Sequence, residues 1–87
     1  MAGDEAAEPG SPRTLRQAHQ QLARSRPRLQ APLGEWLAYY QRAAALYAEI
    51  AEIDRGHHHE ALYMAEQARD SVTEIEAQIP LLRPGHA

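Results

Sequence analysis

Hydrophobic and polar positions along this chain fall into three stretches of helical period, separated by breaks that contain proline or glycine. Taking about 100° per residue from Trp36, the segment from Leu33 to about Asp54 places Trp36, Tyr40, Ala43, Tyr47, Ile50 and Asp54 on one face. Tyr39, Ala44, Leu46, Ala51 and Ile53 flank that face, and Gln41, Arg42, Glu49 and Glu52 lie opposite. A wide apolar stripe with a polar back predicts a long helix covered on one side by other elements. A second long stripe follows, in which Ala61, Ala65, Ala68, Val72, Ile75 and Ile79 share an arc with Met64 on its edge, while Glu66, Asp70, Thr73 and Ala77 lie opposite. Pro80 closes it.

Upstream, Leu15, Ala18 and Leu22 recur at i, i+3 and i+7 in an arginine- and glutamine-rich stretch, which predicts a short helix over residues 13–26. Thr14 and Gln17 have capping-box spacing, and Ser11 before Pro12 offers an alternative start. Pro27 ends this helix because it drives Arg26 out of the helical region. The stretch from Pro27 to Pro32 reads as an irregular linker, with Pro32 in the first turn of the next helix. Gly56 is suited to a left-handed C-cap. The two long stripes then zip antiparallel about Asp54-Arg55-Gly56, over residues 33–54 and 57–79. The expected fold is therefore all-α, a short N-terminal helix plus a long antiparallel helical hairpin. One continuous helix through Gly56 is the alternative, at a cost of about 1 kcal/mol relative to alanine. A tetratricopeptide unit is excluded, since the first-helix tryptophan, Leu-Gly and tyrosine offsets fail and no second copy exists to stack upon.

Composition changes the picture in one respect. Seventeen residues are alanine and none is phenylalanine, so the core available to this 87-residue chain is thin. No cysteine is present, which excludes a disulfide staple, a thiol nucleophile and a cysteine zinc site. Small scaffolds without such aids rely on regular helix packing or oligomerisation. The expectation is a non-catalytic protein-interaction module that self-associates, most simply as a homodimer in which two hairpins form a four-helix arrangement. Trp36, Tyr40, Tyr47, Ala65, Ala68 and Val72 form the expected contact surface.

The net charge of −3 is unevenly spread. Residues 1–12 hold Asp4, Glu5 and Glu8 with no base, along with Gly3, Pro9, Gly10 and Pro12, and read as a disordered acidic tail. The helical domain is expected over residues 13–82, with a C-terminal tail at 83–87. Arg13, Arg16, Arg24, Arg26 and Arg28 form a block without an acid, whereas residues 35–87 carry nine acids against four arginines. The arginine block suits an acidic partner or nucleic-acid phosphates, the latter implying an accessory transcriptional regulator. A pI near 5.9, the absence of lysine and the lack of a recognition-helix or stacking-aromatic motif favour pairing with the acidic hairpin, within the chain or across subunits.

His57, His58, His59 and Glu60 follow the turn, and Glu49, Glu52 and Asp54 precede it. Imidazole and carboxylate suit zinc, nickel or iron, which makes His57, His58 and Glu60 a metal-binding alternative. Consecutive histidines on a helix diverge by about 100°, however, so three cannot converge on one ion unless the turn there is irregular. The competing reading has His57 and His58 capping the hairpin and His59 facing water, with no cofactor. Ser11, Ser25 and Ser71 lie in no nucleophile motif and there is no glycine-rich phosphate loop, so no enzyme is expected. An acidic N-terminus and the absence of a long apolar run point to a cytoplasmic chain with no membrane partner.

The runs Trp36-Leu-Ala-Tyr-Tyr and Asp54-Arg-Gly-His-His-His-Glu-Ala-Leu-Tyr follow an opening Thr14-Leu-Arg-Gln-Ala-His and an Arg26-Pro27 break. Over residues 13–78 the pattern resembles a family of small uncharacterised helical proteins from actinobacteria. The resemblance implies a cytosolic bacterial accessory protein and brings no catalytic residue to this chain. The absence of lysine and asparagine agrees with a GC-rich source.

Overall fold

The structure, a computed structural model, describes residues 11–79 as three α-helices: α1 (Leu15–Arg24), α2 (Leu33–Ile53) and α3 (His58–Gln78). No strand occurs among the described residues. The acidic tail expected over residues 1–12 lies outside them except for Ser11 and Pro12, as do residues 80–87.

Helix α1 begins where the capping pattern places it. Thr14 is extended, with φ −131° and ψ 161°, and its hydroxyl accepts a hydrogen bond from the Gln17 N–H at 3.1 Å. The Gln17 side chain reaches back to the Arg13 N–H at 2.8 Å, one residue upstream of the usual reciprocal partner. The helix ends at Arg24, two residues before the expected boundary. Ser25 is its C-cap, sharing its N–H between the carbonyls of Gln21 and Leu22 at 3.2 Å. Arg26, just before Pro27, lies outside the helix, as the proline requires. Pro32, with φ −58° and ψ 151°, stands just before α2, and its carbonyl accepts from the Glu35 N–H at 2.9 Å. Glu35 in that first turn also suits the positive end of the helix dipole.

The reversal between the long helices differs from expectation. Asp54 ends α2 with φ −96° and ψ 74°, and its carbonyl accepts from the His57 N–H at 2.8 Å, closing a single 3₁₀ turn over Arg55–His57. Gly56 lies inside that turn and outside the left-handed region, and a Cβ there would meet nothing within 4 Å. The chain reverses through short-range bonds anchored on an aspartate, so no left-handed glycine cap is needed. The same break excludes the continuous helix.

Helices α2 and α3 pack along one another as the antiparallel hairpin. Alanine supplies seven of the thirteen buried hydrophobic residues, including Ala61, Ala65 and Ala68 on α3. Such small side chains let the two helices approach closely. Leu15, Ala18 and Leu22 of α1 join the same contiguous core, with Ile50 the largest fully buried side chain. Ile75, nearer the open end of the hairpin, is buried but stands outside this cluster. The core thus concentrates toward the turn, where all three helices meet. No helix of the described residues is long and apolar enough to cross a membrane.

Close packing at Ala65, which is 0% exposed, leaves no room for added methylenes. Ala65→Leu is expected to destabilise the fold by about 1–3 kcal/mol through overpacking. Exposed Ala45→Leu should change stability by less than about 0.5 kcal/mol. Urea denaturation followed by circular dichroism checks both.

Candidate association surface

Three polar contacts fasten α1 to the hairpin. The Leu15 N–H, one of the unsatisfied donors at the start of α1, gives its hydrogen bond to Asp54 Oδ2 at 2.9 Å. His19 Nδ1 lies 2.8 Å from the Tyr47 hydroxyl, with the two rings edge to face. The Tyr39 hydroxyl donates to the Leu22 carbonyl at 3.2 Å in a buried contact. Residues 15, 19 and 22 thus meet positions 54, 47 and 39, so α1 runs antiparallel to α2. Burial pushes the Tyr47 hydroxyl above its ordinary value of 10.0, aided by neighbouring Tyr39, and keeps it a neutral phenol.

Asp54 is the junction of this arrangement. Its Oδ2 accepts from both the Leu15 N–H and His57 Nδ1, each at 2.9 Å. Those bonds, the backbone one first, hold its carboxyl below the ordinary value of 3.8 against the opposing effect of partial burial. His58 Nδ1 lies 2.7 Å from the Ala51 carbonyl, a distance at which it must carry the proton. Arg55, 3.4 Å from that same nitrogen, therefore makes a contact there rather than a hydrogen bond. Both histidines thus secure the turn through their Nδ1 atoms, whereas His59 is exposed. Among the described residues no group of three histidine, aspartate or glutamate side chains is placed to hold an ion; His57 and Glu60 line one open pocket, while His58 Nδ1 is turned to the Ala51 carbonyl. The His58 and His59 rings meet edge to face with centroids 5.3 Å apart, and the Nδ1 atoms of His57 and His58 are already committed to the turn.

The expected contact surface divides. Tyr47, Ala65 and Ala68 are buried inside the monomer and are not available to a partner, because the hairpin and α1 consume them. Trp36, Tyr40 and Val72 are half-buried. Trp36 stacks on Tyr40 with ring centroids 5.9 Å apart and meets Tyr39 edge to face, while the Arg26 guanidinium sits 5.3 Å above the indole.

Arg13, Arg16, Arg24, Arg26 and Arg28 are all exposed, and none forms an ion pair within the described residues. The pairing expected between this block and the acidic hairpin is therefore absent inside the chain. The polar contacts found instead are local to the turn, an ion pair of Arg55 with Glu52 at 3.4 Å and the hydrogen bond of His57 to Asp54. α1 covers the hairpin with its apolar stripe, which leaves its arginines turned to solvent.

Between α1 and the start of α3 runs an open, largely apolar groove of about 400 Å³, lined by Leu15, His19, His59, Glu60, Tyr63 and Met64. Tyr63 is 61% exposed, and Leu62 beside it is also exposed. The only sequence signal for it was that these two residues fall off the buried arc of α3. Compared with protein-family models, curated proteins and solved structures, the chain matches none.

The Asp54 contacts imply a signed pH dependence. A carboxyl whose folded value lies below its unfolded one contributes stability that is present above about pH 4. That stability is lost as pH falls through the lowered folded value. Asp54→Ala should remove this part of the acid transition and loosen α1, seen as a flatter stability profile between about pH 2 and 5 and faster amide exchange at Leu15. Tyr39→Phe should cost about 0.5–1.5 kcal/mol in thermal or urea unfolding. The Leu22 carbonyl keeps its bond from the Ser25 N–H in that variant, which holds the loss to the one bond removed.

Proposed function

We propose that this chain is a non-catalytic helical interaction module that associates with a second copy of itself. The observation that carries the reading is the mismatch between core and surface. The interior is filled mainly by alanine, while Leu29, Ile53, Leu62 and Tyr63 stay exposed, Leu29 to 88%. Exposed apolar residues scattered singly are ordinary. Tyr63 is different because it stands beside an apolar groove shared by two helices. A small three-helix unit with a lean core gains stability by burying such surface against a partner.

The module's parts divide the work. The hairpin is the rigid frame, α1 is fastened to it by Asp54, Tyr47 and Tyr39, and the solvent-facing edges of α1 and α3 are free to meet another molecule. A cytoplasmic bacterial role is part of the same proposal and rests on the family resemblance of residues 13–78. Sedimentation equilibrium across low to high micromolar concentration tests the association. The expected result is a concentration-dependent rise to the mass of two chains, and a single-chain mass throughout would overturn it.

A further inference from the structure

Resting on the self-association reading, we infer that the groove between α1 and α3 is the docking surface for the second copy, across a two-fold axis running along the groove. Three observations meet at this place. The groove floor is apolar, built from Leu15, Met64 and the exposed Tyr63. On one bank, α1 and its N-terminal flank present Arg13, Arg16, Gln20 and Arg24 within one arc of the solvent face, all exposed, and the arginines form no ion pair among the described residues. On the other bank, α3 carries five carboxylates against one arginine. Of these, Glu60 lines the groove, and Glu66 and Asp70 follow Tyr63 along the exposed back of the helix. None of these acids has an ion-pair partner among the described residues.

The symmetry argument selects the occupant. A rotation of 180° about an axis along the groove exchanges its two banks, so each cationic α1 faces the partner's acidic α3 while the apolar floors face one another. An apolar centre with a complementary charged rim is the usual anatomy of a specific interface. Charges that do not pair among the described residues of one chain are then paired between two. Tyr63, a large amphipathic side chain at the centre, fits the role of anchor, its ring entering the partner's groove and its hydroxyl reaching the rim. A nucleic acid would use the arginine bank alone and leave the acidic bank facing phosphates, which the charge pattern disfavours.

Charge exchange tests this on the full chain. One variant carries Arg16→Glu with Arg24→Glu, the other Glu66→Arg with Asp70→Arg, and circular dichroism confirms that each folds. Sedimentation of each alone should give single chains, and an equimolar mixture should restore the two-chain mass. Wild-type pairing should weaken as sodium chloride rises from about 50 to about 500 mM. Tyr63→Ala should weaken it by about tenfold or more, while Leu29→Ala leaves it unchanged. If the wild type pairs but both exchanged variants and Tyr63→Ala pair equally well, the groove assignment is overturned and the self-association reading stands. If the wild type is a single chain at every concentration, the self-association reading itself fails. Salt-sensitive binding of the wild type to a short DNA duplex, lost in the Arg16→Glu, Arg24→Glu variant while pairing is unaffected, would overturn the groove in favour of a nucleic-acid face.

Discussion

The rest of this structure depends on how closely two helices can lie when alanine fills the space between them. Ala43, Ala44 and Ala51 on α2 and Ala61, Ala65 and Ala68 on α3 are buried along the hairpin, with Tyr39, Tyr47, Ile50 and Ile75 its larger buried side chains. Small side chains gain little from transfer out of water individually, but they bring the two backbones near enough for dense packing. The consequence is a hairpin that is well joined and narrow. It has too little apolar width to hold a third helix by burial alone, so α1 comes in with just Leu15, Ala18 and Leu22 and needs additional fastening.

That fastening is polar and concentrated on few atoms. One carboxylate oxygen of Asp54 satisfies the first N–H of α1 and the side chain of His57, while the same residue's backbone ends α2 and starts the reversal. A helix N-terminus favours a negative group, so Asp54 serves the start of α1 although it stands at the less favourable C-terminal end of α2. The tyrosines complete the clasp in a different way. Their rings fill the gaps that alanine leaves, and their hydroxyls reach α1 at His19 and Leu22. Docking of α1 and formation of the turn are consequently linked through Asp54, because disturbing either removes a partner from the same oxygen.

Placement of α1 on one side of the hairpin also decides what the surface looks like. Its apolar stripe faces inward, which turns a block of arginines outward beside a helix rich in exposed acids. The apolar remainder, Leu15, Met64 and Tyr63, opens along the boundary between them. A surface organised as cation, apolar groove and anion is self-complementary under two-fold rotation, and this is the physical ground on which a second copy is proposed as the partner.

Helix existence and the pairing of the long helices were legible from the sequence because they follow from local periodicity: stripes at 3.6 residues must be covered, and two of similar length joined by a short turn cover each other. Thr14 was legible as a cap for the same local reason, its hydroxyl bonding an N–H three residues away. The form of the turn was not, because glycine's freedom at position 56 is a permission that the chain did not use once Asp54 supplied the bonds. Nor was the surface legible. Periodicity told that Tyr47, Ala65 and Ala68 are apolar, but whether they meet this chain or another depends on where α1 lies, and α1 is placed by contacts 17, 28 and 39 residues apart in sequence. The sequence by itself therefore determined which residues form helices and which faces of them must be covered. Only the tertiary structure decided which covered face is core, which arginines face solvent and where the groove opens, since those follow from long-range contacts that no local pattern encodes.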